Sequence, residues 1–81
     1  MEKEEIFKKV QALIVDSQGL SQNEVSLDAN FKEDLQIDSL ELIVLIINAE
    51  KEFNCSLPDE KLNTIKTVGD FVDAIYEKKS Q

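Results

Sequence analysis

With 81 residues, 42% of them hydrophobic, the chain has room for one domain over residues 1–81, and its single cysteine, Cys55, cannot brace that core with an internal disulfide. It contains no histidine, which removes the commonest general base, the commonest zinc ligand and every Ser-His or Cys-His nucleophile pair, so neither an enzyme nor a metal centre is expected. Seventeen acids against nine lysines leave a formal charge of −8, which argues against nucleic acid and anionic membranes as partners and for proteins with basic patches.

The first predicted helix runs from about Lys3 to Ser17. Ile6, Phe7, Val10, Leu13 and Ile14 repeat on one face, Glu2, Glu4 and Glu5 lie in or near the first turn, and Gly19 followed by Leu20 marks the stop. From Leu20 to Ile37 the period is lost. Leu20, Val25, Leu27, Phe31 and Leu35 are expected to pin this long connection to the core, with a single turn at the capping-box pair Ser21 and Glu24. A second helix is predicted from Ser39 to Phe53, with Asp38 as its cap and Glu41 at capping-box spacing. Pro58-Asp59-Glu60 opens a short third helix with proline in its first turn. Thr67 caps a fourth, from Val68 to about Lys78, whose buried face is Val68, Phe71, Val72, Ile75 and Tyr76.

No strand, repeat or low-complexity segment is evident. The expected fold is all-α, a small four-helix bundle of three main helices and one short helix with a long first loop. No run reaches the roughly 18 apolar residues of a membrane span, and Met1-Glu2-Lys3-Glu4-Glu5 has no signal-peptide pattern. Together with one unpaired cysteine, these features predict a cytoplasmic monomer that does not insert into membranes. Cys55 itself is expected to be a small packing residue.

The second helix is the informative one. At 100° per residue, Leu42, Leu45, Ile46, Ala49 and Phe53 share one face, while Leu40, Ile43, Val44 and Ile47 form another. One reading makes the helix central in the bundle and buried on both faces. The other leaves the second stripe exposed as a docking surface that begins beside Ser39, with Glu41 and Glu50 on either side to steer a basic partner. Ser39 also has two readings. It is an ordinary first-turn serine, or an exposed hydroxyl held where helix N–H groups and dipole favour an attached phosphate.

Asp38-Ser39-Leu40, between Phe31-Lys32-Glu33-Asp34-Leu35 and Glu41-Leu42, resembles the modification site of the acyl carrier proteins. Leu20-Ser21-Gln22-Asn23-Glu24-Val25, Asp28-Ala29-Asn30-Phe31, Glu52-Phe53, Leu57-Pro58-Asp59-Glu60 and Ile65-Lys66-Thr67-Val68-Gly69-Asp70 follow in that family's order and spacing. The resemblance, closest to the bacterial fatty-acid branch, implies a four-helix carrier without chemistry of its own. A phosphopantetheinyl transferase would move 4′-phosphopantetheine from coenzyme A onto Ser39, flanked by Asp38 and Leu40. Acyl chains would then ride on the arm's thiol as thioesters between fatty-acid synthesis enzymes with basic docking patches, which would meet Glu41, Ile43, Val44, Ile47 and Glu50.

Several positions depart from the family pattern. Gln36 and Ile37 stand where a glycine and a small residue are usual, so a differently shaped turn is expected there, since glutamine resists positive φ. Val44 and Lys51 replace acids, making the second helix more apolar. A carrier dedicated to a polyketide or other specialised pathway, and an acidic helical adaptor without prosthetic group, are the alternatives. An EF-hand over Asp28, Asn30, Glu33 and Asp34 fails, because Lys32 and Glu33 occupy its fifth and sixth positions.

Overall fold

In the computed structural model, which describes residues 2–80, α1 (Lys3–Gln18) begins with the Ile6 N–H donating to the Glu2 carbonyl at 3.1 Å. Met1 and Gln81, the outer ends of the expected domain, lie outside the described residues. The helix stops at Gly19, whose φ of 68° suits glycine and whose N–H donates to the Val15 carbonyl at 2.9 Å. Ile6, Val10 and Ile14 are buried, with Phe7 and Leu13 half-buried beside them.

Ser21 leads a three-residue 3-10 turn, Gln22–Glu24, through its backbone: Glu24 N–H donates to the Ser21 carbonyl at 3.1 Å. The turn is therefore present without the expected box, because no side-chain bond forms at Ser21. Gln11 of α1 ties the segment down instead, its side-chain amide donating to the carbonyls of Gln22 and Val25. Val25, Phe31 and Leu35 are buried pins and Leu20 is half-buried. Leu27 is a correction, since its side chain is exposed and its backbone does the pinning. Its carbonyl accepts from Gly69 N–H at 2.8 Å, the Ala29 carbonyl accepts from Val68 N–H at 3.0 Å, and Phe31 N–H donates to the Lys66 carbonyl at 3.0 Å. Residues 27–31 thus lie antiparallel against the start of α4. A side chain at Gly69 would put its Cβ 3.0 Å from the Leu27 carbonyl oxygen, a tight contact that would press on the stitch.

α2 (Ser39–Phe53) ends at Asn54, which accepts a left-handed φ of 52°, and α3 (Asp59–Leu62) is a single turn. Pro58 sits at the N-cap of α3, one position outside the expected first turn, where its missing N–H leaves no gap in the helix. α4 (Val68–Lys79) carries a reciprocal capping box: Asp70 N–H donates to Thr67 Oγ1 and Thr67 N–H to Asp70 Oδ2, both at 3.1 Å. Tyr76 is also a correction. It lies at the edge of the α4 stripe and is exposed, its ring 5.1 Å from the Lys3 ammonium, while Ala74 is buried. A phenol tip that seeks water accounts for this edge position.

α1 packs against both α4 and α2, so the middle helix of the bundle is α1 and α2 lies to one side. Lys79 ties the far ends together by donating to the Phe53 carbonyl at 2.9 Å. The fold is all-helical, and among the described residues the one β-like pairing is the isolated Asn30–Thr67 bridge.

Asp70 makes this arrangement pH-dependent. The Lys66 N–H bond, and then those of Thr67, hold its carboxyl below the ordinary value of 3.8. A lowered folded pKa contributes stability above the ordinary value, lost as acid protonates the group. Asp70→Asn is expected to melt below wild type at neutral pH, and the two melting temperatures should converge as pH falls through the carboxylate range. A constant gap at all pH values would mean that the charge is not what stabilises the cap.

Candidate functional site

The site is built by the turn that precedes α2. Asn30 Oδ1 accepts from the N–H groups of Lys32 and Glu33, both at 2.9 Å, and Asp34 Oδ2 accepts from Asn30 N–H at 2.7 Å. These bonds wind residues 30–35 into a tight turn, with Leu35 N–H reaching the Asn30 carbonyl at 3.0 Å. Oxygens of two residues in the rejected EF-hand pattern are thus used by backbone donors.

Gln36 then reverses the chain with φ 55°, a conformation that is costly for glutamine, so the expectation of a differently shaped turn without positive φ is corrected. The gain is immediate: Ile37 N–H reaches the Phe31 carbonyl at 2.8 Å, and the Ile37 side chain enters the core. A left-handed non-glycine residue costs about 1 kcal/mol or more. Gln36→Gly is therefore expected to stabilise the fold by about 0.5–1 kcal/mol, less than the full strain because glycine loses more entropy on folding. A denaturation midpoint that fails to rise would place the strain elsewhere.

Asp38 follows as N-cap, its Oδ1 accepting from Glu41 N–H at 2.9 Å. Ser39 is the first residue of α2 and is exposed, and among the described residues its hydroxyl makes no hydrogen bond. It lies on the wall of a groove of about 390 Å³ between α2, the 30–37 turn and the α3 region. Leu42 from α2, Phe31 and Ile37 from the turn, and Leu62 and Ile65 from the segment around α3 supply its apolar lining. The sequence does not mark Leu62, and it marks Ile65 only as part of a family-like segment, not as a wall of this site. Their signal was two apolar residues outside any long helical stripe, which only the folded chain brings to Ser39.

The two faces of α2 separate cleanly. Leu45, Ile46, Ala49 and Phe53 are buried and Leu42 is half-buried. Leu40, Ile43, Val44 and Ile47 retain 76%, 45%, 56% and 44% of their accessible surface, so the second stripe is not core. Leu40 and Val44 also wall a second groove, of about 320 Å³, against Ser17 and Gln18 at the end of α1. Glu41 is exposed beside the stripe. Glu50 differs: it is half-buried, and its Oε2 accepts from Leu57 N–H at 2.7 Å, tethering the segment between α2 and α3. Cys55 is half-buried against the core, its thiol pKa raised mainly by burial.

Residues 8–75 match the family model described as a phosphopantetheine attachment site. The chain is 46% identical to the acyl carrier protein of Petrotoga mobilis over 78 residues, covering 96% of this chain and 92% of that one. It is 48% identical to the acyl carrier protein of Porphyromonas gingivalis over 71 residues, covering 88% and 91%. The chain belongs to the acyl carrier proteins. In structure it is similar to the solved acyl carrier protein from Enterococcus faecalis, with a TM-score of 0.80, 32% identity, and coverage of 96% of this chain and 99% of that one.

Carriers of this family hold 4′-phosphopantetheine covalently, and this chain shares that cofactor. The residues present fit such a group. An uncommitted hydroxyl stands at the N-terminus of a 15-residue helix, where unpaired N–H groups suit a phosphate, and an apolar groove begins beside it. Among the described residues no helix is long and apolar enough to cross a membrane, and no group of three or more acidic or cysteine side chains could hold a metal ion.

Proposed function

We propose that Ser39 is the attachment residue and that this carrier shuttles acyl groups between fatty-acid synthesis enzymes in the cytoplasm, as a monomer without catalysis of its own. The observation that carries the reading is Ser39 itself: an exposed hydroxyl with no hydrogen bond among the described residues, first in α2 between Asp38 and Leu40, on the wall of the groove. When bound, the arm supplies the thiol on which acyl groups travel as thioesters. The chain's part is to present that thiol and shelter its load. Asp38 fixes the first turn of α2, the bonds of the 30–37 turn fix the approach to Ser39, and Leu42, Leu62 and Ile65 offer an apolar wall.

Partner enzymes dock, in this reading, on Leu40, Ile43, Val44 and Ile47, with Glu41 steering a basic rim. Glu50 contributes charge to this edge, while its bond to Leu57 N–H gives it a structural duty as well. Ile47→Ala is expected to weaken binding of the loaded carrier to a cognate synthase by about 1 kcal/mol, roughly fivefold in Kd. Because Ile47 is already 44% exposed, its melting temperature should hardly move. A large loss of stability, or unchanged binding, would remove Ile47 from the docking surface.

The test of the function is loading followed by cargo analysis. With a phosphopantetheinyl transferase and coenzyme A, intact mass should show one added arm and peptide mapping should place it on Ser39. Carrier recovered from its source cells should bear the saturated and 3-oxygenated chains of fatty-acid elongation. No arm, or an arm on another residue, would sink the attachment reading. Polyketide intermediates on Ser39 would move the carrier to a specialised pathway.

A further inference from the structure

Five of the nine lysines in this acidic chain are engaged by the fold. Lys3, Lys8, Lys9 and Lys61 pair with Asp73, Glu4, Glu52 and Glu77, and Lys79 donates to the Phe53 carbonyl. Among the described residues, Lys32, Lys51, Lys66 and Lys78 have no such partner. Two of these four, Lys32 and Lys66, line the groove that Ser39 opens.

Fold stability asks for little positive charge there, beyond the help that the Lys66 charge gives in keeping the Asp70 carboxyl ionised. Lys66 directly precedes Thr67, the N-cap of α4, where the helix dipole is positive and disfavours another positive charge. Lys32 lies in the turn that leads to the N-terminus of α2, also a positive end. The nearby cap carboxylates are already engaged by backbone donors: Asp38 by Glu41 N–H, and Asp70 by the N–H groups of Lys66 and Thr67. Glu33 and Asp38 also line the groove, and the Asp70 carboxylate feels the Lys66 charge. Two lysines on flexible four-carbon stems, neither in an ion pair among the described residues, therefore line the same groove as Ser39.

We propose that Lys32 and Lys66 hold the phosphodiester of the arm at the groove mouth, so that the arm leaves Ser39 toward α3 instead of trailing along the exposed face of α2. This rests on the attachment at Ser39. A phosphodiester carries one negative charge and two free oxygens, and the lysine ammoniums and the free N–H groups of α2 are donors that would suit them. Such pairing also offsets the repulsion of a new anion placed beside Asp38 and Glu41 in a chain of charge −8.

The experiment is phosphorus NMR on the holo protein, with the field dependence of the line width reporting whether the phosphate tumbles with the domain. Wild type in low salt should show a phosphate as immobile as the protein. The Lys32→Gln/Lys66→Gln double variant should narrow the line by about twofold or more as the phosphate gains motion of its own. Lys51→Gln/Lys78→Gln, which removes the unpaired lysines outside the groove, should match wild type. Raising salt well above about 0.1 M, where the Debye length is about 10 Å, should narrow the wild-type line. A phosphate equally mobile in wild type and in the groove variant overturns the proposal, as does equal narrowing in the control variant. Peptide mapping of the same samples separates this failure from that of the attachment reading: an arm off Ser39 defeats the latter, whereas an arm on Ser39 with a freely moving phosphate defeats only the lysine assignment. All four lysines are exposed, and a melting curve for each variant confirms that its fold is retained.

Discussion

Ser39→Ala is expected to abolish loading of the phosphopantetheine arm while leaving the domain folded. The hydroxyl is the only atom lost, and no hydrogen bond among the described residues depends on it. The cap of α2 is made by Asp38 Oδ1 on Glu41 N–H and survives the change. Alanine at an exposed first-turn position should alter stability by no more than about 0.5 kcal/mol. The other serines offer no comparable seat. Ser17 Oγ donates to the Ile14 carbonyl at the end of α1, Ser21 precedes a three-residue turn, and Ser26, Ser56 and Ser80 are not at the start of any long helix. Intact mass after incubation with transferase and coenzyme A decides it. Full loading of the alanine variant would mean that the nucleophile lies elsewhere; partial loading mapped to a second serine would mean that two sites exist.

What was legible in the sequence was local. The Gly19 stop, the Asp38 and Thr67 caps and the end of α2 at Phe53 each depend on bonds between residues within a few positions of one another. The 100° spacing also divided α2 into its two faces, but it carried no information on which face would be covered. That was decided by α1 packing between α4 and α2, which leaves the Leu40–Ile47 stripe outside. Leu27 was misplaced for a related reason. Hydropathy marks it for burial, whereas the structure uses its carbonyl, through a bond to Gly69 that spans 42 positions. The Glu50 bond to Leu57 N–H and the walls of the Ser39 groove are likewise contacts between segments, invisible to any window along the chain.

Gln36 shows how such long-range contacts overrule local preference. Its side chain argues against positive φ, yet its two neighbours have more to lose: Leu35 and Ile37 are buried, and the Ile37 N–H has its partner only if the chain reverses at that residue. A strain of about 1 kcal/mol is smaller than the cost of exposing two large aliphatic side chains, at about 1.5–3 kcal/mol each. The turn therefore holds its positive φ without a glycine and leads into α2 at Ser39.

The same balance makes Phe71→Ala the most damaging single truncation expected. Phe71 is fully buried on α4, and Phe31 is buried in the turn that leads to Ser39; their rings meet edge to face with centroids 6.1 Å apart and planes at 66°. Removing a buried phenyl group costs about 3–5 kcal/mol in lost burial and residual cavity. Small domains have about 5–15 kcal/mol to lose, and an 81-residue chain belongs near the lower end of that range. The variant should therefore be marginally folded, with a midpoint far below wild type in urea, whereas Tyr76→Ala on the exposed edge of the same helix should cost under about 1 kcal/mol. The loss should also reach the site. Phe31 N–H is held by the Lys66 carbonyl and the Phe31 carbonyl by Ile37 N–H, so a loosened Phe31 slackens both bonds that fix the approach to Ser39. Arm loading of the folded fraction should then slow more than it does for Tyr76→Ala. If the Phe71 variant unfolds at the wild-type midpoint, the contact between turn and α4 is not what holds this end of the bundle. If it is destabilised but loads at the wild-type rate, the turn keeps its shape through the Asn30 and Asp34 bonds alone.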